Sequence, residues 1–363
     1  MSETSKRKSG LDALRFFACL GIVLLHYSNY SCPNGVWFGS FLLDPAETTS
    51  IINLNVMVEV FFFLSGFLIF PYSKKIQDGM RFRSFFLPRV IRILPMLTIG
   101  TILLEIVSYL LAKRGYSQEI GFTTPYLWGI LSSCLGISYS GIFTSANINP
   151  ASWYLDILLS CFVIYYVLIK LSIKTKIDER YYFFSMILLG AACYAHNFAL
   201  PLLDQGCGRG YEAFFSGVLF SGIPAKKDKK NSQYLLSLTI IAIYAIYLLF
   251  FPELLTFGKT HLYNFFITPA LITLFTSRIA EKLFSFKIWT LLGKASYSAY
   301  LLHVAILFSV FLLTNHLGVQ IDYSHEVVFF FFAILVYIFS TITYYLIEKP
   351  LTEYLTKKIA KQS

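Results

Sequence analysis

The chain has 363 residues, 56% of them hydrophobic and only 14% charged, with a mean hydropathy of +0.63. A soluble domain is nearer a quarter charged, so this composition excludes an ordinary cytosolic enzyme, and a disordered chain as well. The net charge of +10 comes as short basic clusters between apolar runs rather than as one patch. That is the pattern of cytoplasmic loops, with the lipid bilayer and not nucleic acid as the partner.

A spanning helix needs about 20 apolar residues and takes roughly 30–35 with its loop, which divides the length into about ten spans with no room for a separate soluble domain. The polar, basic opening MSETSKRKSG precedes an apolar run over 11–30 with no small-residue cleavage site, which reads as an uncleaved first span entering from inside. Further runs follow at 52–72, 93–112, 151–173, 181–203, 211–225, 234–252, 262–280, 290–314 and 326–347. The apolar stretch 123–143 is ambiguous, and charge decides it. If it does not cross, 26 of the 30 basic residues fall inside, and the outside keeps Lys113, Arg114, Arg209 and Lys259. If it crosses, KKDKK at 226–230 turns outward. The expectation is an all-α bundle of about ten transmembrane helices, both termini cytoplasmic, in the cell membrane. The segment 123–143 would lie at the outer surface or re-enter, covered by protein. No internal repeat is visible, which disfavours an inverted-repeat transporter.

Ionisable residues inside lipid are costly and mark function. The first run carries Asp12, Arg15 and His26. At 100° per residue Arg15 and His26 share one helix face, about 16 Å apart along it. Histidine is the side chain that takes and returns a proton near neutral pH. Glu59, in NVMVEVFFFLSGFLIF, lies roughly 18 Å up its own span against roughly 22 Å for His26. At that similar depth the pair reads equally as a catalytic dyad or as a structural hydrogen bond between helices. In FFLPRVIRILP, Arg89 and Arg92 sit three apart at the cytoplasmic boundary. Two guanidiniums there suit a phosphate or pyrophosphate, and suit lipid headgroups as well.

Further along, Trp153 and Asp156 stand at the start of 151–173, and Glu212 opens 211–225 beside Tyr211. Ser296, Ser298 and His303 follow within 290–314, and Tyr344, Tyr345 and Glu348 close the last run. Trp153 and Tyr211 read as interfacial anchors and the serines as helix–helix contacts; His303 is equally structural or functional. The six cysteines lack CxxC spacing, so neither a zinc site nor a dense disulfide framework is expected, and no metal is. A bridge between Cys32 and Cys207 stays open.

Five of these segments together resemble the acyltransferase 3 family of integral-membrane acyltransferases. LDALRFFACLGIVLLH carries an Arg, ten residues, then His, as Arg15 and His26. VEVFFFLSGF matches V-(D/E)-x-F-F-x-x-S-G through Glu59, Ser65 and Gly66. Phe85, Arg89, Arg92, Ile93 and Pro95 fit F-x-x-x-R-x-x-R-I-x-P, and LGKASYSAYLLH fits S-Y-x-x-Y-L-x-H through Ser296, Tyr297, Tyr300, Leu301 and His303. YYLIEKPL, with Glu348 and Pro350, matches the closing segment. The resemblance covers the whole chain and implies a single transmembrane domain over 1–363 with no appended soluble domain.

It also implies transfer of an acyl group, usually acetyl, from cytoplasmic acyl-CoA to a hydroxyl of a surface polysaccharide or lipid-linked saccharide. The enzyme would be an acyltransferase of groups other than amino-acyl groups, with acyl-CoA as substrate and no bound cofactor. His26 and Glu59 would be catalytic, Arg15, Arg89 and Arg92 would hold the donor phosphates, and Trp153, Asp156, Ser296 and His303 are candidates for acceptor contact or support. One departure stands out: SWYLDILL has Leu158 where many members have Glu. Any relay to a distant acceptor would need a partner protein. The rival from another class is a transporter or flippase of a glycolipid or acyl intermediate, in which buried Arg, Glu and His would be substrate or proton-relay groups.

Overall fold

The computed structural model describes residues 9–31, 54–116, 127–140, 149–196, 198, 200–223, 230–250 and 259–360. Among them every regular element is helical. The order is α1 (Ser9–Ser31), α2 (Met57–Ile69, entered by a 3-10 turn Leu54–Val56), α3 (Tyr72–Gln77), α4 (Phe82–Ala112), α5 (Leu127–Cys134), α6 (Trp153–Thr175), α7 (Glu179–His196) and α8 (Gln205–Ser221). Then come α9 (Lys230–Phe250), α10 (Lys259–Leu262), a π-turn Tyr263–Ile267, α11 (Thr268–Phe275), α12 (Arg278–Leu283) and α13 (Lys287–Leu317). The chain closes with α14 (Glu326–Thr343), a second π-turn Tyr344–Glu348 and α15 (Lys349–Ala360).

Each of the ten expected runs falls on a helix, but among the described residues five helices are long and apolar enough to cross a membrane. These are Ser9–Ser31, Phe82–Ala112, Trp153–Thr175, Lys287–Leu317 and the joined Glu326–Ile359. Leu54–Ile69 and Ser232–Tyr247 are shorter apolar helices. Within 123–143, the described part is the eight-residue α5, a turn and a 3-10 turn Ser138–Ser140. Eight helical residues rise about 12 Å, well short of the ~30 Å hydrocarbon core.

The exterior is apolar in stripes. Along α14, Phe330, Phe331, Ile334, Ile338 and Ile342 are each about half exposed or more and recur at three- and four-residue spacing. So large an apolar face is stable against lipid, not water.

The core forms where α1 lies along α13, α13 along α4 and α14, and α8 between α2 and α7. Small residues permit the closest of these crossings. A Cβ on Gly66 would strike the Phe214 carbonyl of α8, and one on Gly217 would strike the Phe63 carbonyl of α2, so the two glycines seat α2 and α8 backbone to backbone. The π-turns have a common cause. Each ends two residues before a proline, Pro269 and Pro350, whose missing N–H and crowding ring break the regular ladder and widen the turn before it.

Candidate active site

Among the described residues, two cavities open between the helices of the bundle. The larger, about 670 Å³, is lined by Arg15, Ser65, Tyr72, Arg89, Arg92 and Lys294 among others. All three arginines assigned to the donor therefore converge on one space, from α1 and α4. Arg15 is tethered to buried Asp12 at 2.8 Å, one turn earlier on α1. The Arg89 guanidinium lies 4.4 Å from the Tyr72 ring centroid and 3.9 Å from that of Phe85, and donates to the Phe85 carbonyl. This holds its plane by cation–π contact on two sides. Arg92, exposed, Lys294 and Lys349 complete the basic lining. Glu348, turned inward by the π-turn, accepts a 2.5 Å hydrogen bond from the Ser298 hydroxyl and forms part of the same wall. Ser296 also lines this space, its hydroxyl donating to Leu292 O at 2.8 Å within α13.

The smaller cavity, about 240 Å³, is lined by His26, Asn55, Trp153, Gln205, Arg209 and Tyr300 among others. His26 Nδ1 lies 2.6 Å from His303 Nε2, the two rings within 4° of parallel. His303 Nδ1 lies 3.1 Å from the Ala299 carbonyl of its own helix. A carbonyl only accepts, so His303 Nδ1 carries the hydrogen, and in the neutral ring Nε2 is bare. His26 Nδ1 must then be the donor, which leaves His26 Nε2 as an unprotonated base on a ring that lines the cavity. The helix backbone thus fixes the tautomer of one histidine, and through it the other.

The His26–Glu59 pairing weighed from depth is not the arrangement found. Glu59, fully buried on α2, is gripped by Arg209 of α8, Nε at 2.6 Å and Nη2 at 3.0 Å. Arg209 Nη2 also donates to Asn55 O at 2.8 Å, and its guanidinium lies 5.0 Å from the Trp153 ring centroid. Depth along two helices fixes height but not direction around each axis, and α8, packed closely on α2, presents the nearer charge. Glu59 therefore braces a wall of the histidine-lined cavity, and His303 stands in the orienting position.

Asp156, buried, accepts from Ser138 Oγ and the Tyr139 backbone N–H, both at 2.8 Å. It ties the segment after α5 to the start of α6 and seats Tyr139, which lines the smaller cavity. Trp153 contributes its ring there directly. Cys207 is buried, and Cys32 lies outside the described residues.

Arg209, Tyr154, Lys294 and Gln205 were not singled out by sequence reasoning. Arg209 did leave a signal: it is one of the few basic residues expected outside, set in the glycine-rich GCGRGYE.

A family model described as an acyltransferase domain matches residues 8–347. The chain belongs to the acyltransferase 3 family. Membership, together with several apolar helices, makes it a membrane acyltransferase. The match runs through α1, α2, α4 and α13, so every cavity-lining residue singled out above except Glu348 and Lys349 falls within the family domain. No curated protein and no solved structure matches the chain.

Proposed function

We propose that this acyltransferase moves an acyl group, acetyl in the simplest case, from cytoplasmic acyl-CoA to a hydroxyl of an extracytoplasmic or lipid-linked saccharide. The observation that carries the reading is the division of labour between the cavities: three arginines on one, His26 on the other, with Tyr300 on both. In the orientation that puts 26 of 30 basic residues inside, both termini are cytoplasmic and the bundle crosses the cell membrane ten times. The arginine-lined cavity then faces the cytoplasm and the histidine-lined one faces out.

Arg15, Arg89 and Arg92 hold the phosphates of the donor, for which paired guanidiniums are the natural complement. The pantetheine arm carries the thioester inward toward Tyr300. On the outer side the sugar ring lies on Trp153, with Asn55, Gln205 and Arg209 as polar neighbours. His26 Nε2 takes the proton from the acceptor hydroxyl as its oxygen attacks the thioester carbonyl. The C–S bond breaks, an ester C–O bond forms, and the proton passes from His26 to the departing thiolate to give CoA-SH. His303 stabilises the imidazolium by accepting from Nδ1.

Membranes containing wild-type or His26→Ala protein at equal expression, given acetyl-labelled acetyl-CoA, test the reading. The expected result is label in base-labile glycan that falls by about 10²–10⁴-fold in the variant. Undiminished label in the variant removes His26 from the chemistry. A transporter would leave no ester at all.

A further inference from the structure

The two cavities meet at one side chain. Tyr300, 4% exposed, lines both the 670 Å³ and the 240 Å³ space. Its ring centroid lies 5.6 Å from that of Tyr154 and 6.1 Å from that of Phe61, which are 6.0 Å from each other. Helices α13, α6 and α2 each contribute one corner of this triangle. Behind it, the fully buried Phe62 packs edge-on against Tyr154 at 4.6 Å, so the rings are backed by filled core. Three residues along α13 from Tyr300 stands His303, ring centroids 6.3 Å apart. The triangle therefore stands between the arginines and the histidine pair.

Any acyl group handed from one cavity to the other must pass the edge of Tyr300. A two-carbon group needs a small displacement of one ring. A long chain must fill the passage, against rings that interior packing keeps from retreating. We propose that Tyr300, braced by Tyr154 and Phe61, sets the length of acyl group that this enzyme transfers and restricts it to short chains. The inference rests on the acyltransferase reading above and adds to it a residue that selects the donor. Side-chain pockets distinguish a single methylene by roughly 10–200-fold, which is ample for such selection.

Inside-out membrane vesicles that carry the native acceptor would be supplied with acetyl-, butanoyl- and octanoyl-CoA, each labelled in the acyl group. The quantity read is the ratio of octanoyl to acetyl label in base-labile glycan. Wild type is expected to favour acetyl strongly. Tyr300→Ala should raise the octanoyl-to-acetyl ratio by about tenfold or more, while Tyr300→Phe, which keeps the ring, should hold the wild-type ratio. Phe61→Ala provides a second opening of the same triangle should Tyr300→Ala fail to fold, and is expected to move the ratio the same way. The inference is overturned by wild type using octanoyl-CoA as readily as acetyl-CoA, or by an unchanged ratio in a folded Ala variant. Failure of wild type with all three donors would instead overturn the acyltransferase reading itself, and the inference with it.

Discussion

A histidine whose second nitrogen is already committed is a better base than a free one, because its reactive lone pair is on the side that faces substrate. The chain from Ala299 O through His303 to His26 supplies that commitment without a carboxylate. His303→Phe keeps an aromatic ring of similar size and removes the acceptor for His26 Nδ1–H; His303→Gln offers an amide oxygen in its place. Steady-state kinetics should give a kcat about 10²-fold lower for His303→Phe, with the KM for acyl-CoA little changed, and partial recovery in His303→Gln. The acidic limb of the pH–rate profile should move between wild type and His303→Gln, a displacement that a purely structural role would not produce. Equal losses in kcat and in folded protein for both variants would refute the positioning role.

Residue identity was well signalled in the sequence and residue pairing was not. Arg89 and Arg92 stood out together at the membrane boundary, and Arg15 joined them only through the family resemblance. His26 stood out as a candidate because it is an ionisable group deep in an apolar run. Glu59 was assigned a height and then the wrong neighbour, since the rotation of α2 about its axis is set by the Gly66–Gly217 crossing with α8. That crossing depends on two residues 151 positions apart, and no single periodicity connects them.

At the scale of the helix, glycine position separates two kinds of cost. Gly115 has φ +95° with open space around it, so Gly115→Ala meets only backbone strain of about 1–2 kcal/mol. Gly217→Val instead drives a branched side chain into the Phe63 carbonyl and parts α2 from α8. Its cost is at least that of overpacking a filled core, about 1–3 kcal/mol, and it also displaces Glu59 from Arg209. Thermal unfolding in detergent should therefore show a larger fall in Tm for Gly217→Val than for Gly115→Ala, and activity at low temperature should fail in the first alone. A smaller loss at Gly217 would mean the crossing is loose. Sequence reasoning assigned no helix disturbance to Pro269 or Pro350, and that each follows a widened turn, the second of which carries Glu348 inward to Ser298, required the packed structure.

For the whole molecule, the positions of the apolar runs were legible throughout, because lipid imposes an all-helical answer on any long apolar segment. Their lengths were less so: α2, α7, α8 and the α10–α11 stretch have 13, 18, 17 and about 17 residues, and a ten-span bundle would need tilt or protein burial to carry the shorter ones through the bilayer. Orientation remains a matter of charge and is directly testable. Single cysteines at Ser285, between α12 and α13, and at Val319, after α13, would be introduced with Cys32 and Cys134 replaced. An impermeant maleimide should label Val319→Cys on intact cells and Ser285→Cys only after permeabilisation. The reverse pattern would invert the bundle and put the arginines outside, where no acyl-CoA is found.

The ring triangle also bears on the energetics of the cell. A membrane holding a potential does work of about 2.3 kcal/mol on each elementary charge per 100 mV, and a water-filled path through this bundle would let protons run down it. In the proposed orientation, Phe61, Tyr154 and Tyr300 would interpose aromatic surface between a space facing one compartment and a space facing the other. An uncharged acyl group can be carried past them, and a hydrated ion cannot. On the proposed reading, the enzyme would carry an acyl group across an insulated boundary without discharging the voltage.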